Sequence, residues 1–87
     1  GKQLIRAGTS IGANLEEANA AVSKKDFINK VGISFKEACE VRFWLRTIMT
    51  AKIASGSDIN STLSNLLNEN EEIIKILASI SRNAKNN

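Results

Sequence analysis

From Ile59 to Ala84 the apolar residues fall at Ile59, Leu63, Leu66, Ile73, Leu77, Ile80 and Ala84. The gaps alternate four and three throughout once Asn70 takes its slot in the series. A helix carrying such a heptad seam has to lay it against other helices, because exposing it to water costs too much. The pattern therefore predicts a component of an all-α bundle. Any activity has to be argued on top of that scaffold.

Two more helices are expected upstream. The first runs from about Lys2 to Ala21, with an inward stripe of Leu4, Ile11, Leu15, Ala18 and Val22. Gly8 and Gly12 stand beside that stripe, each costing a helix interior about 1 kcal/mol relative to alanine. Close approach by a neighbouring helix would compensate; a turn at Gly8-Thr9-Ser10 is the competing reading. Ser23 is a good N-cap, with Asp26 in the position of the capping-box acid and close to the positive end of the helix dipole. The second helix then starts near Lys24, runs to about Ala54 and ends at Ser55-Gly56-Ser57. Its core positions are Phe27, Val31, Ala38, Val41, Leu45 and Ile48. Ile28, Phe35 and Met49 widen the stripe on one side, and Ile33, Trp44 and Ala51 form a strip on the other. That width predicts burial beyond two neighbours, so Ile33 and Trp44 are the candidate subunit-interface residues; alternatively, Trp44 only caps the monomer core. The third helix starts near Asp58 as N-cap and ends in Lys85-Asn86-Asn87. Leu67 and Ile74 extend its seam sideways. Asn70 either fixes register at a buried site or occupies a partly wet edge.

The chain has 87 residues and no proline, which makes one domain, residues 1–87, built from long unbroken helices. Cys39 is the one cysteine, expected as a buried structural thiol in a reducing cytoplasm. No apolar run approaches the length of a membrane span. The start is not a signal peptide, and without an initiating methionine the chain reads as beginning partway through something longer.

Catalytic chemistry finds little to use. There is no histidine, the commonest general base and metal ligand. Glu37 with Glu40, and Glu69 with Glu72, have the spacing of a bundle dimetal site but lack its histidines. One cysteine cannot make a zinc site. The glycines of Gly8-Thr9-Ser10-Ile11-Gly12 lack the flanking strand and the lysine of a phosphate loop. No enzyme, cofactor or metal is expected, and Glu37 and Glu40 read as partners of nearby cations.

Basic residues carry what signal remains, on a net charge of +3. On the second helix Lys25, Lys36 and Arg46 lie within about 80° of one another opposite the core stripe. Lys24 stands beside them, and Arg42 sits towards the apolar side. Arg6 shares the outer face of the first helix with Lys2. These residues are candidates for sequence-independent phosphate contacts in RNA or DNA. Asp26, Glu37 and Glu40 are interleaved, so in a monomer an ordinary solvated face is the plainer reading. A symmetric oligomer would concentrate the field.

Two segments carry a resemblance. One is Arg6-Ala7-Gly8-Thr9-Ser10-Ile11-Gly12-Ala13-Asn14-Leu15-Glu16-Glu17-Ala18. The other is Ser23-Lys24-Lys25-Asp26-Phe27-Ile28-Asn29-Lys30, continued by Lys36-Glu37-Ala38-Cys39-Glu40-Val41-Arg42-Phe43-Trp44-Leu45. Together they resemble the bacterial proteins encoded in intervening sequences of 23S ribosomal RNA genes, also called the S23 ribosomal protein family. The accessory variability determinant of diversity-generating retroelements is a similar protein. The resemblance implies an antiparallel up-and-down four-helix bundle, of which this chain matches helices 2–4 and lacks the first. It also implies ring-shaped homopentamers, with nucleic acid and a reverse transcriptase as partners of the retroelement relative. Arg6, Lys24, Lys25, Lys36, Arg42 and Arg46 fall within the matching motifs as binding candidates. The expected function is a non-enzymatic, cytoplasmic, oligomeric bundle that binds RNA or DNA. The alternative is a protein–protein adaptor with no nucleic-acid binding.

Overall fold

The computed structural model describes residues 2–58 and 61–86. Three helices follow in order: α1 (Lys2–Asn19), α2 (Lys24–Ala54) and α3 (Ser61–Asn86). The expectation of an all-α bundle holds. Its boundaries on α2 follow from capping chemistry. Ser23 is extended, and its hydroxyl accepts the Asp26 N–H at 3.1 Å. At the far end Ser57 N donates to Lys52 O at 2.9 Å and Gly56 N to Ile53 O at 3.1 Å. These are the two bonds of a Schellman motif, and Gly56 takes the left-handed φ of 77° that it requires.

α2 is the shared element. Both α1 and α3 pack against it, and no residue of α1 comes within 8 Å of α3, Cα to Cα. The buried core gathers Ala18, Val31, Ala38, Ile74 and Leu77, with Ile11, Leu15, Phe27, Phe35 and Cys39 packed around it. Two polar side chains lock the seams. Ser34 Oγ donates to the Ile11 carbonyl at 3.0 Å, tying α2 to α1. Asn70 Nδ2 donates to the Ala38 carbonyl at 3.2 Å, tying α3 to α2. Of the two readings of Asn70, the buried one is correct, with 5% of its surface exposed.

Several sequence expectations need correction. α1 ends at Asn19, short of Ala21, and Val22 lies in the connection, 97% exposed rather than in the core stripe. The α3 seam splits in two. Leu63, Asn70 and Leu77 face α2, while Leu66, Ile73 and Ile80 are 45%, 40% and 36% exposed. The seven-residue spacing within each set puts it on its own side of the helix. Ile59 and the residue after it lie outside the described residues, so the expected cap at Asp58 has no described first turn beside it. α1 runs unbroken through Gly8 and Gly12, which removes the turn reading. Beyond the adjoining backbone of α1 itself, nothing lies within 4 Å of a Cβ built on either glycine, so no described helix makes the close approach expected there. Cys39 is half-buried rather than buried, with Arg42 Nη2 at 3.9 Å from its sulfur.

The exposed half of the seam has a counterpart. Leu66 and Ile73 on α3 face Leu4, Gly8 and Ile11 on α1 across a trough floored by Val41 and Leu45. The chain exposes 5850 Å². A folded monomer of its 9.5 kDa mass is expected to expose about 5000 Å².

Candidate nucleic-acid interface

The six basic candidates fall into two groups. Arg6 reaches from α1 to α2, where its guanidinium bonds Glu37 at 3.3 Å and Glu40 at 2.5 Å. Arg42 and Arg46, one turn apart on α2, both reach Glu71 of α3, at 3.6 and 3.3 Å. These three arginines therefore spend their charge across the two helix seams. Lys24, Lys25 and Lys36 are exposed on α2, and none pairs with a carboxylate among the described residues. Lys25 and Lys36 stand eleven residues apart, about 20° from one another around the axis. They share the outer side of α2, facing away from the trough.

The arginine pairs also leave an electrostatic mark. The Arg6 hydrogen bond holds the Glu40 carboxyl below its usual range, against a smaller opposing effect of desolvation. Because the folded value is depressed, the stability it contributes is present above the unfolded value of about 4.3 and is lost as pH falls through the folded value. Acid titration of the melting temperature is expected to show this loss below about pH 4.3 in the unmodified chain. The loss should shrink in Glu40→Gln. Equal acid profiles for the two would mean that the pair contributes nothing to the α1–α2 seam.

The two interface candidates are each half-buried. Trp44 lies against the start of α1, sharing a hollow with Lys2, Gln3, Leu4 and Ile48. Its neighbour Phe43 meets it edge-on, with ring centroids 5.2 Å apart, and is 59% exposed. Ile53, also on α2, is 61% exposed. Sequence reasoning passed over both residues. The signal for Phe43 was present, since it stands seven residues beyond Lys36, on the same outer stripe. It passed over Arg82 and Lys85 on α3 as well, because nothing within α3 reveals what lies beside its last turns.

Among the described residues, no group of three or more acidic, cysteine or histidine side chains could hold a metal. No described helix is long and apolar enough to cross a membrane.

The sequence model of the 23S rRNA-intervening sequence protein family matches residues 1–79, nearly the whole chain. The chain belongs to this family. A crystal structure of a protein of unknown function from the S23 ribosomal protein family of Bacteroides thetaiotaomicron is similar throughout. It is 41% identical with a TM-score of 0.82, over 93% of this chain and 69% of that one. Comparison with curated proteins finds no match. The family resemblance carried by the Arg6–Ala18 and Ser23–Leu45 segments is thus borne out, and so is the helical fold it implied.

Proposed function

We propose that this 23S rRNA-intervening sequence protein is a non-enzymatic bundle that assembles with copies of itself and binds RNA or DNA through phosphate contacts. The observation that carries the binding half is the sorting of the cations. Arg6, Arg42 and Arg46 are held by carboxylates, while Lys24, Lys25 and Lys36 are exposed on α2 and pair with no carboxylate among the described residues. Exposed ion pairs are worth about 0–1 kcal/mol, so a phosphate can compete for the arginines. The three lysines are available without competition.

Assembly is supported by surface area. The excess over a monomer of this mass is roughly 800 Å², close to what one partner contributes to a stable interface. The trough between α1 and α3, with Leu4, Leu66 and Ile73 on its banks, suits a helix of a second copy and leaves the outer side of α2 open. Ile33 and Trp44, each half-buried, remain candidates for such a contact.

Binding of a labelled oligonucleotide, measured by anisotropy over a salt series, tests this reading. Affinity should fall steeply with salt, and Lys25→Glu with Lys36→Glu should weaken it at least tenfold while the helical signal is unchanged. Each lost single-strand phosphate contact should reduce the salt slope by about 0.7. A double variant that binds like the parent would remove these lysines from the site. The adaptor reading is favoured by the 59% exposure of Phe43. It expects salt-tolerant binding of a protein partner, lost in Phe43→Ser, with no oligonucleotide binding at all.

A further inference from the structure

We infer that the nucleic-acid site is a two-banked channel at one end of the molecule, completed by Arg82 and Lys85 of α3. This rests on the reading that the protein binds nucleic acid. α2 and α3 run antiparallel, which brings the last turns of α3 beside the first turns of α2. Gly32 and Phe35 of α2 meet Ala78, Ser81, Arg82 and Lys85 of α3 around one hollow of about 350 Å³. Its lining contains no carboxylate. On the α2 bank, Lys25 lies seven residues before Gly32 and Lys36 four residues after it, so all three share one stripe. On the α3 bank stand Arg82 and Lys85, both exposed. Neither pairs with a carboxylate among the described residues.

The floor between the banks is shaped for close approach. Beyond the adjoining backbone of α2 itself, nothing lies within 4 Å of a Cβ built on Gly32, so the α2 side of the hollow is open. Phe35 is half-buried there and gives a base an apolar surface to rest on. From the middle of α2 onwards the arginines are paired. There Arg42 and Arg46 are committed to Glu71, and Arg6 to Glu37 and Glu40. Lys24, Lys25, Arg82 and Lys85, which pair with no carboxylate among the described residues, thus stand where α2 begins and α3 ends, with Asp26 as an acidic neighbour and Lys36 near the middle of α2. Lys25 and Lys36 are spread along about 16 Å of helix at 1.5 Å per residue. Cations on both sides of an elongated trough suit a single strand lying along it, with phosphates between the banks, better than they suit a flat anionic sheet.

The test compares two charge-matched double variants of the full chain. Arg82→Glu with Lys85→Glu strips the α3 bank; Lys2→Glu with Lys52→Glu makes the same charge change at the other end. Binding of a labelled single-stranded RNA oligonucleotide is read by anisotropy between low and moderate salt. Circular dichroism melts confirm that each variant folds. The channel expects at least tenfold weaker binding and a salt slope lower by about 1.4 for the α3 pair, with less than threefold weakening for the control. Equal weakening by both pairs would overturn the channel, as diffuse charge would then explain the effect. So would an α3 variant that binds RNA like the parent but loses binding to phosphatidylserine vesicles, which would assign the surface to lipid. Parent binding with no loss in the α3 variant overturns the channel alone. No binding by the parent protein overturns the functional reading beneath it as well.

Discussion

Replacing Asn70 by aspartate is expected to unfold much of the chain at neutral pH, and the damage should recede on acidification. Asn70 is 5% exposed and donates from Nδ2 to the Ala38 carbonyl at 3.2 Å. The substitution keeps the shape but removes the donor. An ionised oxygen then faces a carbonyl oxygen in a site closed to water. Leaving a buried charge without a partner costs about 3 kcal/mol or more, a large share of the 5–15 kcal/mol available to a domain. Burial raises the folded pKa of the introduced carboxyl above its unfolded value of about 3.9. Folding therefore favours the protonated form. The relative stability is fully present below the unfolded value, declines as pH rises from it, and is lost above the folded one. The protonated acid can again donate to Ala38. Urea titrations between pH 4 and 8 would check this, with the gap between Asn70→Asp and the parent widening as pH rises. A constant gap would mean that the introduced group reaches water and that the α2–α3 seam is looser than described.

Leu77→Ala is expected to be nearly as costly, with no pH dependence. Leu77 is 2% exposed and belongs to the buried cluster that α2 and α3 share with Ala18. Truncating a buried leucine costs about 2–5 kcal/mol, more where the site cannot collapse. For a domain of this size each kcal/mol shifts the melting temperature by about 4–8 °C, so a fall of about 10 °C or more is expected. Leu66→Ala is the internal control. Leu66 belongs to the same heptad seam but is 45% exposed. In the isolated chain it should cost less than about half as much. Equal losses at the two positions would show that something covers Leu66 in solution, and the assembled protein would then be the species measured.

How much of this was legible in the sequence depends on how local the determinant is. The limits of α2 could be read because Ser23, Asp26 and Gly56 act on their own backbone neighbours. The end of α1 could not, because Ala20 and Ala21 carry no stop signal and Val22 continues the apolar spacing past the true end at Asn19. The heptad seam announced that α3 is packed. It could not say that Leu63, Asn70 and Leu77 meet α2 while Leu66, Ile73 and Ile80 stay exposed, the first two of them on the trough, since both sets satisfy the same spacing. The candidate site failed to resolve for a related reason. A helical wheel places Lys36 and Arg46 on one face and credits both with free charge. Whether a cation is neutralised depends on the register between helices, which sets Arg46 and Arg42 against Glu71 and Arg6 against Glu37 and Glu40. The same register brings Arg82 and Lys85 beside Gly32, and no pattern within α3 encodes that.

No Cα of α1 lies within 8 Å of one of α3, and this spacing governs how signals travel through this molecule. It consists of two helical hairpins with a common arm. A perturbation at the α1 seam, such as breaking the Arg6 pairs or filling the space above Gly8 and Gly12, reaches the Arg82 end through α2 and through the buried cluster that Ala18 shares with Ile74 and Leu77. Coupling between two sites requires an element whose arrangement both of them bias, and within this chain α2 is that element. Its long, doubly capped helix makes it a stiff lever, so a partner seated on one hairpin would be felt by the other as a change in pitch rather than as a local rearrangement.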